Sequence, residues 1–315
     1  MLTPARRAMC SSGASRPRSA NTAVAAASSR SRLRAASARS GFDVVAMEPI
    51  LQSRGHPRNR CYGGRVSRGL PRFHPERFVM NERRTAVVIG VGPGLGMSIA
   101  HRFGREGFAI ALISRNPERH PGYIAALNDA GIEAKAYAAD VLDMPRLRSA
   151  LDTIGAIDVM YYGATAMDPA LPKPITTIDA DEVRRAMTWV YPAVDTVAHV
   201  LPGMLERRSG ALLFAGGLSA VRPLPALGSL AIATGAMRNY AVTLHAALAE
   251  HDIYAGTLTI GGLVERGDIH RHVTAHPEQF GDPTGRTLDP DVIAETAWRL
   301  YRERDSAEAV FDALG

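Results

Sequence analysis

The sequence contains only two cysteines, Cys10 and Cys61, and both lie within its first 79 residues. The remaining 236 residues offer no thiol, which excludes disulfides, thiol catalysis and cysteine-ligated metal sites from that part. The chain also has no uninterrupted apolar run near the roughly 18 residues that a membrane-spanning helix requires. We therefore expect a soluble cytoplasmic protein without a membrane partner.

Residues 1–79 contain no lysine and almost no acid, because their charged side chains are 15 arginines and three acidic residues. This stretch is rich in Arg, Ser and Ala and has no helical or strand periodicity, so we predict a disordered leader. Three interpretations stay open. The leader is a stretch upstream of a true start at Met80, which we favour, or an organelle transit peptide, or a nucleic-acid-binding tail.

Residues 80–315 carry 22 basic and 28 acidic side chains, and this net charge of −6 argues against nucleic-acid binding. Short β-like runs alternate with longer helical ones, which predicts one doubly wound α/β domain, a Rossmann fold with about seven parallel strands. We expect helices such as Gly96–Gly107 and Asp179–Arg207, the latter opened by Asp179 and Glu182 as a capping pair. Residues 262–289 lack a regular period and are predicted to be a loop over the ligand crevice. The predicted strands are Thr85–Ile89, Ala109–Ile113, Ala134–Ala138, Asp158–Tyr162, Ala211–Ala215, Tyr254–Ile260 and Ala309–Phe311.

The most informative motif is AVVIGVGPGLG at residues 86–96, where an apolar strand pattern runs into alternating glycines ahead of a helix. Glycines allow positive φ and a close approach of the backbone to a pyrophosphate, which the amides of a helix N-terminus favour. The predicted phosphate-binding residues are Gly90, Gly92, Gly94, Leu95 and Gly96.

The second predicted strand ends in Ser114-Arg115-Asn116, where an acid would bind the ribose hydroxyls of NAD. No acid is present, and the Arg115 guanidinium suits a 2′-phosphate, so we expect NADP(H) to be preferred over NAD(H). The alternative for Arg115 is a solvated loop charge. Asp140, followed by Val141, is expected to accept from the adenine amino group or, alternatively, to cap a helix ahead of Met144.

From about Arg84 onward the chain resembles the short-chain dehydrogenase/reductase family. Gly90, Gly94 and Gly96 match its GxxxGxG spacing, and Ala139-Asp140-Val141 is similar to its adenine-binding segment. Residues 201–204 and 210–213 are similar to the family's segment before and into the fifth strand. The resemblance implies nicotinamide-dependent oxidoreduction, cofactor contacts from Gly163 and Ala164, and a homo-oligomer, either a dimer or a tetramer.

The resemblance fails at the family's catalytic positions, where Gly217, Leu230 and Thr234 replace Ser, Tyr and Lys, and Trp189 replaces Asn. The candidate proton donors are Ser219 and Tyr162, with packing against the ribose as the alternative for Tyr162. Weaker candidates are Ser229 and Tyr191, and the alternative for Tyr191 is an interface aromatic. Arg238 is expected either to bind an anionic group or to form an ion pair at the helix surface. His270, His272 and His276 lack an accompanying acid cluster, so no metal is expected.

The sequence thus predicts an NADP(H)-binding oxidoreductase that acts on an unknown carbonyl or alcohol with a non-standard proton donor. The alternative is a catalytically inactive NADP(H)-binding sensor or partner subunit, and a non-redox enzyme on the same scaffold is a third possibility.

Overall fold

The structure is a computed structural model that describes residues 83–165 and 172–315. The predicted leader and the start at Met80 lie outside the described residues. Within the described part, no helix combines the length and apolar character needed to cross a bilayer.

Seven parallel strands form the central sheet, in the order β3-β2-β1-β4-β5-β6-β9. Two further short strands, β7 and β8, pair with each other. The fold class predicted from the alternating periodicity is therefore confirmed. The strands are β1 Thr85–Ile89, β2 Ala109–Ser114, β3 Ala134–Ala138, β4 Val159–Tyr162, β5 Gly210–Gly217, β6 Ile253–Gly261, β7 Leu263–Val264, β8 Thr287–Leu288 and β9 Glu308–Asp312.

Helices connect the strands and cover both faces of the sheet. The α-helices are α1 Leu95–Arg105, α2 His120–Asp129, α3 Met144–Ile154, α4 Ala180–Met187, α5 Val190–Arg207, α6 Gly228–Leu248, α7 Asp268–Ala275, α8 Pro277–Phe280 and α9 Pro290–Glu303.

Strand β1 shows why the sheet is buried on both faces. Val87 and Ile89 belong to one apolar cluster, whereas Ala86 and Val88 belong to another on the opposite face. Successive strand side chains point to opposite faces, so a strand covered on both sides reads as a continuous apolar run. The same pattern that predicted the strand thus accounts for its central position.

Two predicted elements differ from the structure in more than the position of their ends. The single helix expected over Asp179–Arg207 is two helices, α4 and α5, because Pro192 cannot donate a hydrogen bond to the Thr188 carbonyl. The capping pair at its start is confirmed, since the Asp179 side chain accepts from the Glu182 amide at 2.9 Å and the Glu182 side chain accepts from the Asp179 amide.

The prediction of a loop over residues 262–289 is wrong, because this segment contains β7, α7, α8 and β8. Its apolar residues lie in pieces too short to show a period, and β7 and β8 are only two residues each. Pairing between Leu263 and Thr287 closes the segment on itself.

Candidate functional site

A cavity of about 640 Å³ opens at the carboxyl ends of the central strands, where β1 and β4 lie side by side. The chain leaves β1 toward β2 and β3 on one side, and leaves β4 toward β5 and β6 on the other. Ligands of doubly wound sheets bind at such a switch point, because the two connections diverge and leave a crevice. Each predicted cofactor-binding residue lines this cavity: Gly90, Gly92, Gly94, Leu95, Gly96, Ser114, Arg115, Asn116, Asp140, Val141, Gly163 and Ala164.

The glycines between β1 and α1 differ in what an added Cβ would contact. Gly90 adopts a φ of +82°, and a Cβ there would lie 2.4 Å from the backbone of Ala164. A Cβ on Gly94 would lie 2.9 Å from the Glu265 carbonyl oxygen. By contrast, a Cβ on Gly92 would meet no protein atom within 4 Å. The loop is therefore packed against protein on two sides and open toward the cavity at Gly92.

The open position at Gly92, at the N-terminus of α1, fits the pyrophosphate of a dinucleotide. Gly92 has no side chain that would block an approaching phosphate, and α1 begins at Leu95. The Met97 and Ser98 amides bond to the Gly92 and Gly94 carbonyls, so the Leu95 and Gly96 amides are the ones this helix start offers to an anion. Unpaired amides at a helix N-terminus favour anions. These residues would hold the phosphates, and a bound nicotinamide dinucleotide would supply a hydride.

The residues that follow β2 form a small polar cluster. The Ser114 hydroxyl lies 2.7 Å from His120 Nε2, and the Asn116 side chain accepts from the Glu118 amide at 2.9 Å, which caps the next short helical turn. Arg115 is exposed and, among the described residues, forms no ion pair. Arg115 is therefore the member of this cluster whose charge is available to a ligand.

His120 is almost fully buried beneath this cluster, at 6% exposure. Burial lowers the pKa of its imidazole, because the charged form loses hydration. A neutral imidazole at neutral pH maintains the hydrogen bond with Ser114 and positions the β2 terminus.

Asp140 follows β3 and is half-buried at the cavity wall. Its Oδ1 accepts from the Leu142 amide at 3.0 Å. Helix α3 is capped instead by Asp143, whose side chain accepts from the Arg146 amide at 3.2 Å. The alternative that Asp140 caps this helix is therefore wrong, and Asp140 remains a lining residue of the cavity.

On the other side of the switch point, Gly217 ends β5 and Thr234 lies on α6. A Cβ on Gly217 would lie 3.0 Å from Thr234 Cγ2. The Ser219 and Thr234 hydroxyls lie 2.8 Å apart, and the Thr234 hydroxyl donates to the Leu230 carbonyl at 2.9 Å. Thr234 lines the cavity, whereas Ser219 lies behind it.

Tyr162, a predicted candidate acid, points away from the cavity. Its side chain is 1% exposed, and its hydroxyl donates to the Trp189 carbonyl at 3.3 Å. Burial, followed by the charge of Asp140, raises the pKa of its phenol. The neighbouring Tyr161 lines the cavity instead, because adjacent strand residues face opposite sides of the sheet.

Other candidate residues take structural positions. Arg238 forms a two-pronged ion pair with Glu308 at 2.6 and 2.8 Å, so the helix-surface pairing left open by the sequence is the observed one. Tyr191 is exposed on α5. His270 and His272 lie on α7, and no group of three or more metal-ligating side chains occurs within residues 83–165 and 172–315.

Two charged residues of the cavity wall, Arg119 and Asp268, are not among those predicted from the sequence. Arg119 lies only four residues beyond Arg115, but its charge could not be distinguished from that of a solvated turn. Asp268 lies in the segment that showed no period. Their pairing joins residues 149 positions apart and had no local signal.

A seven-stranded parallel sheet with a glycine-rich turn at its switch point defines the class of dinucleotide-binding α/β proteins. Residues 84–272 match the family model described as short chain dehydrogenase, which covers more than half of the chain. The chain therefore belongs to the short-chain dehydrogenase/reductase family.

Two curated relatives illustrate the distance within the family. A 2,3-dihydro-2,3-dihydroxybenzoate dehydrogenase from Bacillus subtilis is 26% identical over 188 residues, which cover 57% of this chain and 70% of the relative. The human mitochondrial dehydrogenase/reductase SDR family member 2 is 26% identical over 182 residues, which cover 56% of this chain and 64% of the relative.

Solved structures share the fold at lower identity. A 3-oxoacyl (acyl-carrier-protein) reductase from Agrobacterium tumefaciens with NADP bound has a TM-score of 0.64 and 20% identity, with 73% of this chain and 92% of that chain covered. A gluconate 5-dehydrogenase from Burkholderia cenocepacia in complex with NADP and tartrate has a TM-score of 0.62 and 22% identity, with 73% and 94% covered.

Proposed function

We propose that the protein is an NADP(H)-dependent oxidoreductase that acts on a carbonyl or alcohol substrate and uses a non-standard proton donor. The observation that carries the cofactor preference is Arg115. It lines the cavity beyond β2, is exposed, and has no acidic neighbour at positions 114–116. A guanidinium binds a phosphate with charge-assisted hydrogen bonds, whereas an acid would be needed for the NAD ribose. The NADP bound in two structural neighbours supports the same choice.

When bound, NADP(H) supplies or accepts the hydride, and this chain's residues hold it in place. The Gly92 backbone and the first amides of α1 bind the pyrophosphate, Arg115 binds the 2′-phosphate, and Asp140 accepts from the adenine amino group. These roles leave Thr234 and the wall formed by Gly216 and Gly217 for the substrate end of the cavity.

The proton must then come from a group other than the family's tyrosine. The hydroxyl of Thr234 is the polar side chain that α6 presents to the cavity beside Gly217, and it is in hydrogen-bond contact with Ser219. Two linked hydroxyls can pass a proton between water and a substrate oxygen, although neither is acidic. Ser219 therefore acts through Thr234, which makes it a positioning residue in this proposal.

A second candidate function is nucleotide binding without turnover, as in a sensor or a partner subunit. The residues at positions 217 and 234 favour this alternative. Gly217 cannot hold a substrate oxygen, and the Thr234 hydroxyl already donates within its helix to the Leu230 carbonyl. Loss of a general acid typically lowers the rate by about 10²- to 10⁴-fold.

We also propose that the protein self-associates through α5 and α6. Tyr191 and Val194 on α5 are 55% and 38% exposed, and Ile232 on α6 is 42% exposed. Apolar side chains clustered on two helices favour association with a second copy. Sedimentation of the full chain would reveal a dimer or a tetramer; a monomer at micromolar concentration would contradict this proposal.

The first experiment is titration of the full chain with NADPH and NADH, followed by fluorescence. We expect NADPH to bind more tightly, and Arg115→Gln to weaken NADPH binding by about 10- to 100-fold, because one charge-assisted contact is lost. NADH binding should change little. Arg146→Gln, an exposed arginine on α3, is the matched control. Equal losses for both nucleotides would refute the role of Arg115.

The second experiment follows absorbance at 340 nm with a panel of carbonyl substrates. Turnover that Ser219→Ala reduces and Tyr162→Phe preserves would support the hydroxyl pair. Tight NADPH binding without turnover on any substrate would favour the binding-protein alternative. Failure to bind either nucleotide would overturn both functions.

A further inference from the structure

Residues 265–268 follow β7, end at the first residue of α7 and border the cavity through Gly267 and Asp268; this segment is called the strap below. It follows β6 and β7, yet its last residue, Asp268, binds Arg119, which follows β2. The Arg119 Nη1 atom lies 2.9 and 2.7 Å from the two carboxylate oxygens of Asp268. In the sheet, β1, β4 and β5 lie between β2 and β6. The ion pair therefore joins the two sides of the cavity above three strands.

The other end of the strap is anchored by Arg266. Its Nη2 atom lies 2.8 Å from the Asp291 carboxylate on α9 and 3.2 Å from the hydroxyl of Ser98, a buried residue on α1. Arg266 has a φ of +64°, a conformation that non-glycine residues adopt only at a cost. Contacts with two different helices, and a further one with Asp289 at 3.5 Å, maintain this conformation and give this end of the strap more anchoring partners.

The middle of the strap packs directly on the glycine-rich loop. A Cβ on Gly94 would lie 2.9 Å from the Glu265 carbonyl oxygen and 3.0 Å from the Gly267 nitrogen. Gly94 thus lacks a side chain so that the strap can reach the loop that forms the pyrophosphate site. A dinucleotide in the cavity would lie next to both.

The two ends of the strap are similarly exposed, but they differ in the number of partners: Arg119 pairs with one acid, whereas Arg266 contacts Asp289, Asp291 and Ser98. The Arg119 and Asp268 side chains are both 51% exposed, and exposed ion pairs change an equilibrium by at most about fivefold. The hydrogen bonds from Arg119 are the largest influence on Asp268, and they lower the pKa of its carboxyl, which therefore stays charged at neutral pH. Arg271 on the same helix also contacts Asp268, so the carboxylate is shared between two cations.

We propose that the strap closes over a bound dinucleotide and that the Arg119–Asp268 ion pair is its releasable end, which sets how fast the cofactor leaves. This inference rests on the proposed NADP(H)-dependent function. Opening breaks this one exposed ion pair and lifts the strap from Gly94, while Arg266 stays bound to α1 and α9. Arg119 and Asp268 are then positioning residues for cofactor retention.

The direction in which one substitution changes the NADPH release rate distinguishes an effect of the strap from simple electrostatics. Asp268→Asn removes a negative charge beside an anionic cofactor, so electrostatics alone predicts slower release of NADPH. The strap predicts the opposite, a release rate about two- to fivefold faster. Asp252→Asn is the matched control, because Asp252 forms an exposed pair with Arg208 at 3.3 Å and precedes β6, at the far end of the sheet.

Stopped-flow displacement of NADPH by excess NADP⁺ from the full chain measures this rate. Arg119→Gln should also accelerate release, and adding Asp268→Asn to that variant should cause no further change. Slower or unchanged release in Asp268→Asn would overturn the proposal, as would equal effects of that substitution in the presence and absence of Arg119.

Hydrogen exchange without any nucleotide separates the strap from the proposed function. Both Arg119→Gln and Asp268→Asn should accelerate amide exchange in α7 and leave α9 unchanged. Arg119→Gln is the stricter variant, because it does not alter the helix itself. If the wild-type chain binds no NADPH, the proposed function fails and the exchange result alone decides whether the ion pair anchors α7. Unchanged exchange in α7 in both variants would overturn the strap.

Discussion

Replacement of Gly90 by alanine should destabilise the fold severely, whereas the same change at Gly92 should not. Gly90 has a φ of +82°, which costs an alanine about 1–2 kcal/mol. Its added Cβ would also lie 2.4 Å from Ala164 Cα and N, backbone atoms that no rotamer change can move. Forcing a methyl group into a packed site costs about 1–3 kcal/mol. Together these effects predict a loss of about 2–5 kcal/mol in the free energy of unfolding.

Gly92 provides the matched control within the same loop. Its added Cβ would meet no protein atom within 4 Å, and its φ is not in the positive range. Gly92→Ala should therefore leave the free energy of unfolding unchanged or raise it by up to about 1 kcal/mol, because alanine restricts the unfolded chain. The methyl group would instead project into the space assigned to the pyrophosphate and weaken NADPH binding.

Urea denaturation monitored by circular dichroism gives the two stabilities, and NADPH fluorescence gives the two affinities. We expect opposite patterns: Gly90→Ala loses stability, and Gly92→Ala loses NADPH affinity at full stability. Equal stability losses in the two variants would refute the packing argument. Unchanged NADPH affinity in Gly92→Ala would refute the placement of the pyrophosphate.

Two further predictions concern groups outside the glycine-rich loop. Arg238→Gln should lower the free energy of unfolding by about 1–2 kcal/mol, because Glu308 is mostly buried and loses its cation; Arg184→Gln, an exposed pair, should cost under about 0.5 kcal/mol in the same urea assay. Burial lowers the pKa of His120, so the unfolded state binds a proton before the native state does as pH falls below about 6.5. The free energy of unfolding should therefore decrease by no more than about 1.4 kcal/mol per pH unit in that range. Urea titrations between pH 7.5 and 5.5 should show that the free energy of unfolding decreases less steeply with falling pH in His120→Asn than in the wild type. A contribution of the same sign remains from His101, whose pKa burial also lowers. Identical slopes in the variant and the wild type would contradict the role of His120.

The strands, and the gathering of the proposed cofactor-binding residues in one cavity, were predictable because their signals are local. A β-branched run such as Val87–Ile89 leads directly into Gly90, and Arg115 follows the next strand within one residue of its end. A parallel sheet then brings the carboxyl ends of its strands to one edge. Sequence periodicity and topology were sufficient to place these residues in one cavity.

The other features depend on contacts between distant residues. The direction of the Tyr162 phenol is set by strand alternation and by the Trp189 carbonyl 27 positions away, which the sequence did not reveal. Likewise, the Arg119–Asp268 pair required the fold before it could be seen. By contrast, the break between α4 and α5 has a local signal in the sequence, because Pro192 cannot donate the hydrogen bond that a continuous helix needs there.

Gly217, Ser219 and Thr234, at the proposed substrate end of the cavity, depend on one another structurally. A serine at 217 would press its Cβ to 3.0 Å from the Thr234 methyl group, so the glycine and the threonine fit each other. Thr234 in turn provides the hydroxyl partner of Ser219 at 2.8 Å, a contact that a longer side chain at 234 would replace. A change at any one of these positions alters the packing or hydrogen bonding of the other two, and effects of residues in contact are not additive. Substituting the family's residues one at a time therefore measures the disruption of this cluster, and only their joint replacement tests whether the cavity can support the family's usual proton transfer.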